Sequence, residues 1–277
     1  MYPDPLFSIF GLEIDLYSIF FLIGIIACFV FTWFAMKKSG YSSSAIDTIL
    51  LIGIIAIIFG LLFGVLIQSL YDFIENPQQG FVITGKMTFL GGLIGGVIVY
   101  LGLYFLYVYV INPRLKEKSF FKSNMNKGVW HLLRFVPISI TIAHAFGRIG
   151  CFCAGCCGGV PTNAWFGVKF PGETVKVVPT QLFEAIFLFL ISAVMIVLYF
   201  VFHFKYNMTV YLMGYGTWRF IIEFFRNDDR GAFIPGLTPS QFWSILMFVG
   251  GIAFFFLYRY FDKKLEEKAP IFEQEVN

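Results

Sequence analysis

Stretches such as "FFLIGIIACFVFTWF" (residues 20–34) and "ILLIGIIAIIFGLLFGVLI" (residues 49–67) recur along this chain and constrain it more than anything else in it. A hydrocarbon core takes about 20 apolar residues of helix to cross. Seven segments meet that length: 16–36, 45–73, 87–111, 129–150, 180–203, 208–226 and 239–261. The chain of 277 residues is 58% hydrophobic and only 13% charged, where a soluble domain carries roughly 25% charge. Its mean hydropathy is +0.78. So much apolar surface does not fit inside one globular core, so the expected fold class is an all-α integral membrane protein with seven transmembrane helices. Residues 1–15 carry acids and prolines instead of a basic leader, so the first apolar segment reads as a retained span.

Basic residues orient the bundle. One set of alternate loops holds Lys37, Lys38, Arg114, Lys116, Lys118, Lys122, Lys127, Lys205, Arg259, Lys263, Lys264 and Lys268. The other holds Lys86, Lys169, Lys176, Arg226 and Arg230. The positive-inside rule places the richer set in the cytoplasm. The N-terminus is then outside and the C-terminus cytoplasmic, as an odd number of spans requires. The loops at 72–86, 151–179 and 227–238 face out.

Two spans contain small-xxx-small spacing: Gly60 with Gly64, and the overlapping pairs Gly91/Gly95 and Gly92/Gly96 in "GGLIGG". Such stripes let helices approach closely in lipid. They also admit a lipid chain.

Three arginines fall within spans, and a charge at the bilayer centre costs at least roughly 2.5–3.5 kcal/mol. Arg134 lies near a cytoplasmic end and is expected to snorkel. Arg148 sits one turn after His144. Arg219 lies in "YGTWRFIIEFFR", where Tyr215, Arg219, Glu223 and Arg226 share one helical face. Glu184 adds a carboxylate near the outer end of the fifth span. These charges suit either interhelical ion pairs or a cationic pocket, in which the planar forks of Arg148 and Arg219 grip a phosphodiester.

Residues 151–157, "CFCAGCC", crowd Cys151, Cys153, Cys156 and Cys157 into one segment. Structural zinc sites use two separated Cys knuckles, and no second pair exists here, so no metal is expected. A disulfide through Cys151 or Cys153 and a simple lining of small thiols both stay open; a vicinal Cys156–Cys157 bridge would be strained.

Several stretches together resemble the bacterial prolipoprotein diacylglyceryl transferases, over nearly the whole chain. "DPLFSIFGLEIDLYSIFFLIGI" is similar to that family's N-terminal arm and first span, with Tyr17 at a functional tyrosine position. "FLGGLIGG" resembles its H-G-G-L-I-G motif, and "GRIGCFCAGCCGG" its G-R-x-G-N-F-x-N-x-E-x-x-G signature. "PTQLFEA", "YGTWRFIIEFFR" and "GLTPSQFWSI" resemble later family motifs.

The resemblance implies transfer of a diacylglyceryl group from phosphatidylglycerol to the lipobox cysteine of a prelipoprotein signal peptide. The setting would be the outer face of a bacterial plasma membrane, with no cofactor and no nucleic-acid partner. It makes Arg148 and Arg219 the phosphate-binding catalytic pair, joined by Glu223. It puts Tyr17, Gly91, Gly92, Tyr215, Gly159, Cys151 and Cys156 at substrate-binding positions. The chain departs from the pattern where Leu90 replaces the histidine of the H-G-G motif, Cys151 an asparagine and Cys156 a glutamate. His144 is then the nearest candidate base. The chain resembles a subset bearing G-C-F-x-x-G-C-C. The competing readings are a changed acceptor, a cysteine-based lipid transfer, and a non-catalytic lipid-binding or thiol-redox membrane protein.

Overall fold

The computed structural model describes residues 5–9, 12–83, 87–115, 128–227 and 236–274. The basic residues Lys86, Lys116, Lys118, Lys122, Lys127 and Arg230 lie outside the described residues. The chain folds as two compact units, Met1–Thr32 with Lys127–Asn277, and Trp33–Asn126.

The expected helical membrane architecture is present. Among the described residues, six helices are long and apolar enough to cross a bilayer: Leu16–Lys38, Ser43–Ile74, Gly91–Arg114, Val136–Cys153, Thr180–Phe200 and Pro239–Lys263. The segment expected to cross at 208–226 is a helix of 16 residues, Asn207–Ile222, finished by a single 3-10 turn, Glu223–Phe225. An element the helical pattern did not announce precedes the bundle. Strands β1 (Phe7–Ile9) and β2 (Leu12–Ile14) pair antiparallel in register Phe7 with Ile14. Asp15 then accepts the Ser18 backbone N–H at 2.8 Å and starts α1, Leu16–Lys38. The Ser18 hydrogen bonds hold the Asp15 carboxyl below its ordinary value.

In the Trp33–Asn126 unit, α2 (Ser43–Glu75) is capped by the Ser42 side chain. It packs on α3 (Phe89–Leu106), which relaxes through a π turn, Tyr107–Ile111, into the short α4, Asn112–Arg114. The glycine stripes form this contact. A Cβ at Gly60 would lie 2.9 Å from the Gly92 carbonyl oxygen, and one at Gly91 3.0 Å from Ile67. Gly91 and Gly92 thus face α2, the packing use of small-xxx-small spacing. Gly60→Leu is expected to force α2 and α3 apart at a cost of about 1–3 kcal/mol. A detergent-resolved thermal melt checks this, and an unchanged midpoint would count against the close packing.

In the other unit, α5 (Gly128–Leu132) ends in a turn, and α6 (Val136–Cys153) begins with proline in its first turn. The fourth span therefore starts at 136 rather than 129. Pro137 has no N–H to give, and it biases the residue before it away from helix. Next come α7 (Thr180–Phe200), α8 (Asn207–Ile222) and α9 (Pro239–Gln274). Helix α1 meets α6 closely, with Gly24 against the Ala143 carbonyl and Thr32 Oγ1 donating to Ser139 Oγ at 2.8 Å.

Arg134 does not reach for water alone. Its guanidinium donates to Tyr258 Oη at 2.9 Å and to Asp262 Oδ1 at 3.1 Å. Lys205 meets the other Asp262 oxygen at 2.8 Å. The expected snorkelling anchor is instead one cation of a shared carboxylate. Asp262 follows Tyr258 by one turn of α9, which brings both to the same guanidinium.

Candidate active site

Three helices bring the membrane charges together. Helix α6 supplies His144 and Arg148, α7 supplies Glu184, and α8 supplies Tyr215 and Arg219. Glu184 has no solvent exposure at all. Its Oε1 pairs with Arg148 Nη2 at 3.0 Å and accepts from the Tyr215 hydroxyl at 2.6 Å. Its Oε2 lies 4.0 Å from Arg219 Nη1. One carboxylate therefore faces both buried arginines and gives Arg148 the counter-charge that a cation needs in a low dielectric.

Around Arg219 the network continues. Its Nη2 meets Glu223 Oε2 at 2.9 Å and donates to Ser240 Oγ on α9 at 2.8 Å. Arg226 Nε lies 3.7 Å from the same Glu223 oxygen, and Thr238 Oγ1 donates to Glu223 Oε1 at 3.0 Å. The face expected from i, i+4 spacing holds through Arg219, then tightens. Glu223 sits on the 3-10 turn and Arg226 just after it. Arg148 Nε and Arg219 Nη1 are buried and find no hydrogen-bond acceptor among the described residues.

His144 stands edge-on to the Tyr215 ring, with centroids 4.7 Å apart, and its Nε2 is 3.4 Å from the Tyr215 hydroxyl oxygen. Tyr211 stacks on Tyr215 from the preceding turn of α8. Tyr17 packs across Gly150 of α6, where a Cβ would approach its ring to 3.1 Å. It remains more than a third exposed.

The cysteine segment closes α6. All five cysteines are free thiols. The Cys156 N–H and thiol both turn back to the Cys151 carbonyl, at 3.2 and 3.5 Å. Among the described residues, no group of three or more His, Cys, Asp or Glu side chains is arranged to hold a metal. The Cys151 thiol hydrogen-bonds to Cys157 and, with the neighbouring Cys156 and the Arg226 guanidinium, holds it well below the ordinary thiol range. The same contacts push Cys156 up.

Gly159 is buried in a bridge to Arg226, and its N–H donates to the Val178 carbonyl at 2.9 Å. A Cβ there would overlap the Phe225 carbonyl and stand 2.8 Å from that of Val178. Gly159 thus ties the segment after α6 to the end of α8 through backbone contact. Of the expected residues, Arg148, Arg219, His144, Glu223 and Tyr215 converge here. Gly91 and Gly92 belong to the other unit. Leu90 is the second residue of α3.

A family model described as prolipoprotein diacylglyceryl transferase matches residues 4–257. A phosphatidylglycerol–prolipoprotein diacylglyceryl transferase of Clostridium tetani is 34% identical, covering 92% of this chain and 97% of the relative. The chain belongs to the prolipoprotein diacylglyceryl transferase family. A second such enzyme, from Clostridium perfringens, is 29% identical over 88% of this chain and 91% of its own. One from Pseudoalteromonas translucida is 31% identical over 90% of each.

Against that family background, four site residues fall outside the set expected to act: Glu184, Arg226, Thr238 and Ser240. Their motifs, "PTQLFEA", "YGTWRFIIEFFR" and "GLTPSQFW", were visible. What the sequence could not show is that Glu184 sits between the arginines, because that depends on how α7 rotates against α6 and α8.

Proposed function

We propose that this protein is a phosphatidylglycerol–prolipoprotein diacylglyceryl transferase of the bacterial plasma membrane, crossing it seven times with the site toward the outer face. The observation that carries the reading is the pair of buried guanidinium groups, Arg148 and Arg219, sharing Glu184 yet each keeping one nitrogen without an acceptor among the described residues. An anion with several oxygens supplies those acceptors, and the phosphodiester of phosphatidylglycerol is such an anion.

In this reading the sulfur of the incoming prelipoprotein cysteine attacks the glyceryl carbon. The carbon–oxygen bond to phosphate breaks, and the arginines stabilise the charge that grows on the departing glycerol phosphate. The acceptor thiol, with a pKa near 8.5, is only a few per cent thiolate at neutrality, so a base speeds the step. Leu90 supplies none. His144 does: the single Tyr215 proton goes to Glu184, so the contact with His144 requires the imidazole proton on Nε2. That leaves Nδ1 as the basic nitrogen, a tautomer assigned from the hydrogen bonds. Tyr17, Cys151, Cys156 and Gly159 shape the entrance around Arg148.

Expression in cells depleted of their own transferase is expected to restore thioether formation on prelipoproteins. Failure to restore it, with the protein present in the membrane, sinks the reading. His144→Ala is expected to lower kcat by about 10²–10⁴. Unchanged turnover would remove the base role while leaving the phosphate site standing.

A further inference from the structure

Of the clustered thiols, Cys157 has no role in the transfer reading and stands on the most unusual backbone. Cys157 has φ of +64°, the left-handed region that glycine fills at little cost, and two glycines follow it immediately. A cysteine is kept in this strained position by its surroundings. Thr180 Oγ1 donates to the Cys157 carbonyl at 2.9 Å, and Gln181 Nε2 donates to the Cys156 carbonyl. Both donors come from the first turn of α7, so the turn is fixed from outside, as strained functional positions usually are.

The fixed turn presents the Cys157 sulfur to three partners: the thiols of Cys151 and Cys156 and the guanidinium of Arg226. A cationic partner and an S–H donor favour thiolate, and thiolate is the form that reacts with peroxides. Cys156 is adjacent in sequence, so a bond to it would close a strained vicinal ring. Cys151 lies six residues back, at the end of α6, and has no such restriction.

We propose that Cys157 and Cys151 are a redox pair: a hydroperoxide oxidises Cys157, and Cys151 closes it into a reversible disulfide. The Cys157 sulfur attacks the peroxide. The O–O bond breaks, an S–O bond forms, and the alkoxide leaves as an alcohol after taking a proton. The Cys151 sulfur then attacks the sulfenic acid. The S–S bond forms, the S–O bond breaks, and water leaves with the Cys151 proton. Two thiols and one hydroperoxide give one disulfide, one alcohol and one water, and a dithiol reductant reverses the bond. The pair stands independently of lipid transfer.

The test uses the full chain, reduced and then treated with tert-butyl hydroperoxide in lipid nanodiscs. Alkylation of the remaining thiols and tryptic mass spectrometry follow. All four clustered cysteines fall on one peptide, residues 149–169, so the alkylation pattern identifies the pair. The expected result is a peptide 2 Da light, alkylated at Cys153 and Cys156 and protected at Cys151 and Cys157. Cys151→Ser is expected to leave a sulfenic acid on Cys157 that dimedone traps. Cys157→Gly suits the left-handed backbone and is expected to abolish protection, while Cys153→Ser changes nothing. Protection of Cys156 with Cys157, preferential oxidation of Cys153, or no oxidation of the wild-type chain would each overturn the proposal, whatever the variants do.

Discussion

Glu184→Ala is expected to destabilise the bundle by about 3–5 kcal/mol, the range found when one partner of a buried ion pair is removed. The carboxylate is fully buried, 3.0 Å from one guanidinium and 4.0 Å from a second, and it accepts the Tyr215 hydroxyl. Alanine leaves Arg148 without its counter-charge, Arg219 with Glu223 alone, and a buried phenol without its acceptor. Glu184→Gln keeps the shape and an acceptor for Tyr215 but not the charge, and should fall between wild type and alanine. Adding Arg148→Leu to Glu184→Ala should recover part of the loss, because it removes the stranded charge. Thermal melts in nanodiscs read all three. A Glu184→Ala protein that melts with the wild type would show that the arginines find other partners, and the carboxylate would lose its central place.

Arg219→Ala is expected to lower the transfer rate by about 10²–10³, the usual effect of removing one donor aimed at developing charge. Arg219 is held by Glu223 and Ser240 on one side and approaches Glu184 on the other, so its fork is fixed before any lipid arrives. Lysine keeps the charge but not the fork, and Arg219→Lys should recover only part of the rate. Initial rates of thioether formation on a lipobox peptide, across a range of phosphatidylglycerol, separate two outcomes. A fall in kcat places Arg219 on the transition state. A rise in KM alone makes it a lipid-binding group and no more. Rates equal to wild type would take it out of the site.

Much of this was legible in the chain itself. Apolar runs locate six crossing helices because length and composition decide that question. The glycine stripes disclose the α2–α3 contact for a similar reason: small residues leave few other uses for a face. Arg148 and Arg219 announce themselves by their cost in lipid. The interior partnerships were not legible. Glu184 reads as an ordinary acid near a span end, and Arg134 as a snorkelling cation, until helix rotation puts partners against them. The α5–α6 break depended on a single proline whose effect an averaged apolar window hides. The left-handed turn at Cys157 carried no sequence signal, since the glycines beside it were the better candidates.

The short α8 has a consequence for the bilayer around it. Sixteen residues of helix rise about 24 Å, and the 3-10 turn that finishes the segment adds about 6 Å, so the two together only just match a hydrocarbon core of about 30 Å. In the seven-span reading the regular helix stops short of the outer face and the 3-10 turn completes the crossing. Arg219, in the last turn of α8, and Glu223, on the 3-10 turn, would then stand at head-group depth. A phospholipid would present its phosphate to the arginines there without leaving its leaflet.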